Sequence, residues 1–207
     1  MKKNLFLWVG LILIACFLFL TYLLRTNIFS GVDLQVTKVL QNIIPRFMDI
    51  PFSLLSLFGS LEIVSVILFI LWAFYKKLNY VYVLLCFAIF HLVELIGKAF
   101  VFHPGPTFEF FRYYFSFVMP SSSVKPGSSF PSGHLGRTMF LSIIFVFMIS
   151  KSKRLSAFWK KVFYCLIVVI VGLMFVSRIY LGEHWFSDVL GGSVLGGAMA
   201  LLSLVFI

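Results

Sequence analysis

The stretch Ser177-Arg178-Ile179-Tyr180-Leu181-Gly182-Glu183-His184-Trp185-Phe186-Ser187-Asp188 holds the residues best suited to chemistry in this chain. It separates two apolar runs, residues 161–176 and 189–207. A charged side chain in or beside a bilayer core costs roughly 2.5–3.5 kcal/mol on insertion scales, so polar groups placed there need partners or a task. On a helix, His184 and Asp188 stand at i,i+4 and share a face, which lets the carboxylate hold and polarise the imidazole. Arg178 adds a permanent planar cation suited to an oxyanion or a phosphate. A second cluster, Ser129-Phe130-Pro131-Ser132-Gly133-His134, reads as a loop entering a helix. Free backbone N–H groups and the positive end of the helix dipole make such a turn an anion site. Ser132 offers a hydroxyl, Gly133 lets an anion approach the backbone, and His134 can give or take a proton. The plainer alternative is a serine N-cap followed by an interfacial histidine. A third cluster runs from Lys98 to Pro106 and includes His103.

The elements that must position these groups are membrane helices. The 207 residues are 61% hydrophobic and 12% charged, with mean hydropathy +1.07, whereas soluble domains carry about 25% charged residues. An all-α integral membrane bundle follows, and a soluble domain is excluded. Spans near 20 residues allow six helices and a single domain over 1–207. They are predicted at about 4–24, 51–75, 80–102, 131–150, 161–180 and 185–207. Residues 26–50 read as a loop with a short interfacial helix. The N-terminal apolar run is longer than a signal-peptide core and lacks a cleavage site, so it is expected to stay as the first span. Cys16, Cys86 and Cys165 show no metal spacing and read as small buried apolar residues.

The net charge of +10 reflects topology and lipid headgroups rather than nucleic acid, and no nucleic-acid partner is expected. Lys2, Lys3, Lys76, Lys77, Lys151, Lys153, Arg154, Lys160 and Lys161 cluster at one set of helix ends without acids. The positive-inside rule makes that side, with both termini, cytoplasmic. The three polar clusters then meet at one depth on the outer face, where an active site is expected.

Pro131-Ser132-Gly133-His134, followed by Ser177-Arg178-x5-His184-x3-Asp188, resembles the second and third signatures of the type 2 phosphatidic acid phosphatase superfamily, whose membrane branch comprises six-helix lipid phosphatases. The first signature, Lys-x6-Arg-Pro, is matched at Lys98 and Pro106, with Gly105 where the arginine is expected. Arg112 from the following loop, or His103 as a weaker donor, could replace it. The resemblance implies that His184 attacks phosphorus while Asp188 fixes its tautomer. It implies that His134 protonates the leaving group and then activates water. It also implies that Lys98, Arg178, Ser132 and the Gly133 amide hold the phosphate oxygens. No cofactor or metal is implied. The expected substrate is a lipid phosphate or pyrophosphate: polyprenyl pyrophosphate, phosphatidylglycerol phosphate or phosphatidic acid.

Competing readings are a phosphotransferase using the same phosphohistidine and a non-catalytic lipid-phosphate transporter or binding protein, which Gly105 favours. Zinc on His184, Asp188, His134 and His103 is disfavoured by Lys98 and Arg178, which would repel a cation. Ser132 as a hydrolase nucleophile is disfavoured by the same cations, which suit phosphorus. His91, Glu94 and Lys98 share a helical face, and Glu94 is expected to pair with Lys98. Glu62 has no assigned role. Phe108, Phe110, Phe111, Tyr113, Tyr114, Phe115 and Phe117 read as an interfacial aromatic belt, with a lid as the alternative. Gly192-x3-Gly196 is expected to allow close packing of the last helix.

Overall fold

A helix rich in glycine and alanine can be approached closely from several sides, and the C-terminal helix of this chain is built that way. The computed structural model describes residues 2–75, 80–112 and 128–207, and its regular elements there are all helical. They are α1 (Lys2–Leu24), α2 (Ser30–Ile43), α3 (Asp49–Leu57), α4 (Leu61–Tyr75), α5 (Tyr80–Phe100), α6 (Gly133–Lys151), α7 (Ala157–Tyr180) and α8 (Phe186–Leu204), with short 3-10 turns at Arg46–Met48 and Phe108–Phe110. Helix α8 is the centre: 72% of its apolar window is buried, against 22% for α1 and α7. Helices α1, α5 and α6 pack around α8, α4 covers α6, and α2 and α3 lie against α7. Among the described residues, helices α1, α5, α6, α7 and α8 are long and apolar enough to cross a membrane, and α3 and α4 pass the same test together, bent by 43° at the break between them.

Two sequence expectations are corrected. The predicted span 51–75 is broken at Phe58-Gly59-Ser60, where the halves meet at 43°. The break frees the Gly59 carbonyl, which accepts from Arg137 Nε at 2.8 Å, and Ser60 Oγ accepts from the Ile63 amide at 3.3 Å. Residues 26–50 are not a loop with a short surface helix. They contain the 14-residue α2, which buries Asp33 and Thr37 and lays Val36 and Leu40 on the cluster of Leu135, Met174, Ile179 and Val189. Gln41 pins it further by donating to the Phe110 and Tyr180 carbonyls. The other helix ends shift by a few residues from the predicted bounds, as frayed ends do. Cys16 and Cys165 face outward rather than inward. Lys76, Lys77 and aromatic residues 113–117 lie outside the described residues, so of the residues expected to form a belt only Phe108, Phe110 and Phe111 are described.

Helices α6 and α8 cross at close range. A Cβ on Gly196 would overlap the Gly136 carbonyl, and one on Gly192 would overlap the Ser132 carbonyl. Gly197, one residue on, has its nearest neighbour 3.6 Å from the same construction. Gly196→Ala is therefore expected to cost about 1–3 kcal/mol through overpacking, with a Tm lowered by several degrees. Gly197→Ala should leave Tm within a degree or so; thermal unfolding in detergent checks both, and equal Tm values would refute the crossing geometry.

Candidate active site

Helix α7 ends in a turn that sets up the site. Gly182 takes φ +72°, which disfavours other residues, and a Cβ there would also overlap the Phe110 carbonyl. The turn folds Glu183 and His184 back so that their amides both donate to the Arg178 carbonyl, at 3.2 and 3.3 Å. Arg178 is fully buried, and its Nη1 bonds Glu183 Oε2 at 2.6 Å. Arg178 Nε and Nη2 are buried without a hydrogen-bond partner among the described residues. A buried donor left unmade costs about 1–3 kcal/mol, so such groups persist where a ligand is to be received.

His184 precedes α8 instead of lying on it, which corrects the shared-helix-face argument. Asp188 is in the first turn of α8 and reaches back: Oδ2 accepts from the Trp185 amide at 2.8 Å and stands 3.5 Å from His184 Nδ1. The pairing expected from i,i+4 spacing is thus made by a capping carboxylate. The Asp188 carbonyl also accepts the Ser132 amide at 3.0 Å, which docks the second cluster on the third. Ser132 is the N-cap of α6, and its buried Oγ makes no hydrogen bond among the described residues. The Phe130–Pro131 peptide is cis.

Lys98 enters from the end of α5. Gly97 beside it packs on Pro131, where a Cβ would come within 2.7 Å of the ring. Lys98 Nζ bonds Glu94 Oε1 at 2.8 Å, while Glu94 Oε2 accepts from Arg137 Nη1 at 3.0 Å and lies 3.0 Å from His91 Nδ1. The Glu94–Lys98 contact is therefore present, and it belongs to a larger buried network. Gly133 lies directly over Glu94 and Arg137, too close for any side chain. Arg178, Arg137, His184 and Lys98 all lie within electrostatic reach of His134. Glu62 lies within such reach of Arg137.

The structure thus brings together Lys98, Ser132, Gly133, His134, Arg178, His184 and Asp188. Arg112 sets its guanidinium 5.1 Å over the Tyr180 ring, with Nη1 buried and without a hydrogen-bond partner among the described residues, and its amide donates to the Leu181 carbonyl. His103 turns to Asp188 and Asp33, at 3.5 and 3.8 Å. A Cβ on Gly105 would meet Ser129 among the described residues. Sequence reasoning missed Arg137, Glu183, Asp33 and Ser187; of these, Glu183, next to His184, was the one with a visible signal. Among the described residues, no group of three or more His, Cys, Asp or Glu is arranged to hold a metal ion.

Residues 78–207 match the sequence profile of the PAP2 superfamily. Over 68 residues the chain is 38% identical to phosphatidylglycerophosphatase B of Bacillus subtilis (strain 168), covering 33% of this chain and 34% of that protein. The match thus spans about a third of that curated relative's length. The crystal structure of a transmembrane PAP2 type phosphatidylglycerolphosphate phosphatase from Bacillus subtilis superposes with TM-score 0.75 at 24% identity, covering 96% of this chain and 94% of that one. Aquifex aeolicus LpxE superposes with TM-score 0.64 at 19% identity, covering 84% and 94%. Both likenesses are of fold.

Glu183 holds the one paired nitrogen of Arg178, so any anion arriving there competes with a resident carboxylate. Glu183→Gln keeps an acceptor and removes the charge. It is expected to tighten orthophosphate or orthovanadate binding about tenfold, or ~1.4 kcal/mol, read by calorimetry. Unchanged or weaker binding would place the anion seat away from Arg178.

Proposed function

The chain belongs to the PAP2 superfamily, and on that premise we propose that it is a multi-pass membrane lipid phosphatase acting through a phosphohistidine. The observation that carries the reading is the meeting of Lys98, His134, Arg178 and the His184–Asp188 pair, from four separate segments, around buried donors without partners. The His184 ring attacks phosphorus through Nε2, because Nδ1 faces Asp188. The bond from phosphorus to the lipid oxygen breaks, and His134 protonates the departing oxygen. His134 then takes a proton from water, whose oxygen displaces the imidazole and releases phosphate. Asp188 stabilises the charge that develops on the His184 ring. Arg178 Nε and Nη2, Lys98, Ser132 Oγ and the amides at the start of α6 receive the phosphate oxygens, where electrostatic stabilisation usually contributes most.

Lys98 and Arg178 supply the cations for this chemistry. The proposed substrate is a lipid phosphomonoester or pyrophosphate. The name of the curated relative supports phosphatidylglycerol phosphate, and polyprenyl pyrophosphate and phosphatidic acid carry the same reacting group. The basic residues at the opposite helix ends support a site on the extracytoplasmic face, with both termini cytoplasmic.

Purified protein is expected to release phosphate from vesicles carrying these lipids in excess EDTA. His184→Ala should lower turnover by on the order of 10⁴-fold or more. Undiminished turnover in that variant, or activity that EDTA removes, would sink the mechanism.

A further inference from the structure

Asp188 has a second imidazole beside it. His103 lies in the connection after α5, and its Nε2 stands 3.5 Å from Asp188 Oδ1, the oxygen that His184 does not face. The same nitrogen is 3.2 Å from Ser187 Oγ and 3.8 Å from Asp33 Oδ2. Asp33 comes from α2 and is 2% exposed, while Asp188 is fully buried.

The hydrogen bonds decide which nitrogen of His103 carries hydrogen. Ser187 donates its amide to Asp33 Oδ1 at 2.9 Å and its hydroxyl to Oδ2 at 2.8 Å. A hydroxyl has one hydrogen. With that hydrogen committed to Asp33, Ser187 Oγ can only accept from His103, so Nε2 bears a hydrogen. That N–H looks into the gap between Ser187 Oγ and Asp188 Oδ1, and Oδ1, 3.5 Å from Nε2, makes no hydrogen bond among the described residues. The backbone of His103 is held as well. Its N–H donates to Ser128 Oγ at 3.3 Å, and its carbonyl accepts from the Ser129 amide at 2.9 Å and Ser129 Oγ at 3.0 Å. Those serines lead straight into Pro131-Ser132-Gly133-His134, so the ring is anchored to the segment that carries the other histidine of the site.

We propose that His103 is a positioning residue for the nucleophile. Its Nε2–H faces Asp188 Oδ1 and keeps that carboxylate aimed at His184, while Asp33 and Ser187 fix the His103 ring. The inference deepens the phosphatase reading and rests on it. A buried carboxylate keeps one orientation when groups of opposite character face both of its oxygens. Oδ2 accepts from the Trp185 amide and faces His184, and Oδ1 faces His103 at 3.5 Å. The titratable groups facing Asp188 are His184 from the turn before α8, His103 from the α5–α6 connection and Asp33 from α2. Burial holds the Asp33 carboxyl above its ordinary value, the Ser187 hydrogen bonds oppose this, and the charge of Asp188 adds to it. Withdrawing the His103 ring leaves Asp188 Oδ1 with no group opposite it, and a carboxylate free to turn no longer supports the positive charge that forms on His184.

The test compares kcat and KM across pH for His103→Ala, His103→Gln and Asp33→Asn, with wild type and His184→Ala as references. The substrate is the lipid phosphate that the wild type turns over. His103→Ala is expected to lower kcat about 10–100-fold, the usual effect of removing an outer partner of a reacting group. KM should stay within about twofold, since uniform binding is untouched. His103→Gln, which keeps a donor, should recover most of the loss. Asp33→Asn should give a smaller loss, again in kcat. A wild-type kcat in His103→Ala would overturn the inference, as would a glutamine variant no better than alanine, or a loss confined to KM. If His103→Ala does not fold, a wild-type kcat in Asp33→Asn overturns it instead. A wild type without turnover on any lipid phosphate sinks the phosphatase reading and the inference with it. A wild type whose turnover is lost in His184→Ala leaves His103 to be judged alone.

Discussion

A carboxylate with no solvent contact depends on the groups set around its oxygens, and those around Asp188 come from separate parts of the chain. Its Oδ2 takes the Trp185 amide and faces His184, its Oδ1 faces His103, and its backbone carbonyl takes the Ser132 amide. One residue therefore joins the end of α7, the start of α8, the start of α6 and the segment after α5. The elements between these points are long apolar helices. The glycines at the α6–α8 crossing bring two backbones near enough for the Ser132–Asp188 hydrogen bond to form. Removing the close approach would separate the two clusters without altering any reactive group.

The cations of the site follow the same rule from the other side. Lys98 and Arg137 both rest on Glu94, and Arg178 rests on Glu183. Breaking a buried pair by removing one partner typically costs about 3–5 kcal/mol, so Glu94 is as necessary to this arrangement as the basic groups it holds. Gly133 fits into the network because it has no side chain, and this lets the first turn of α6 lie directly above it. The broken α3–α4 span belongs to the same network, since the carbonyl freed at Gly59 receives Arg137.

Much of this was legible in the sequence where chemistry demands fixed residue types at fixed spacing within one segment. His134, Arg178, His184 and Asp188 fall in such segments, and alternating apolar runs placed Lys98 at their depth. The His184–Asp188 pairing was reached through a helical face, whereas the chain makes it through a capping carboxylate; both geometries give the same spacing. Asp33 was not legible, because a lone acid in a mixed stretch gives no sign that it will meet Ser187, more than 150 positions away. The break at Gly59 was hidden for a related reason. Apolar residues continue on both sides of it, and what favours the break is a carbonyl acceptor for Arg137, a partner far along the chain. Nothing in the sequence indicated that Arg112 would stack on Tyr180 and that His103 would turn to Asp188.

An anion site inside a membrane protein must also survive while empty. Unpaired cations at that depth would destabilise the fold by several kcal/mol each. Resident carboxylates solve this: Glu183 and Glu94 keep Arg178 and Lys98 partnered before substrate arrives. A phosphate entering under the proposed chemistry exchanges with Glu183 instead of adding to the buried charge, so the site changes its net charge little on binding. Glu183 is partly exposed while Arg178 is wholly buried, so the acid is the partner that can swing away. Weak net charge in the resting site is therefore the condition under which a charged nucleophile pocket can persist in an apolar bundle.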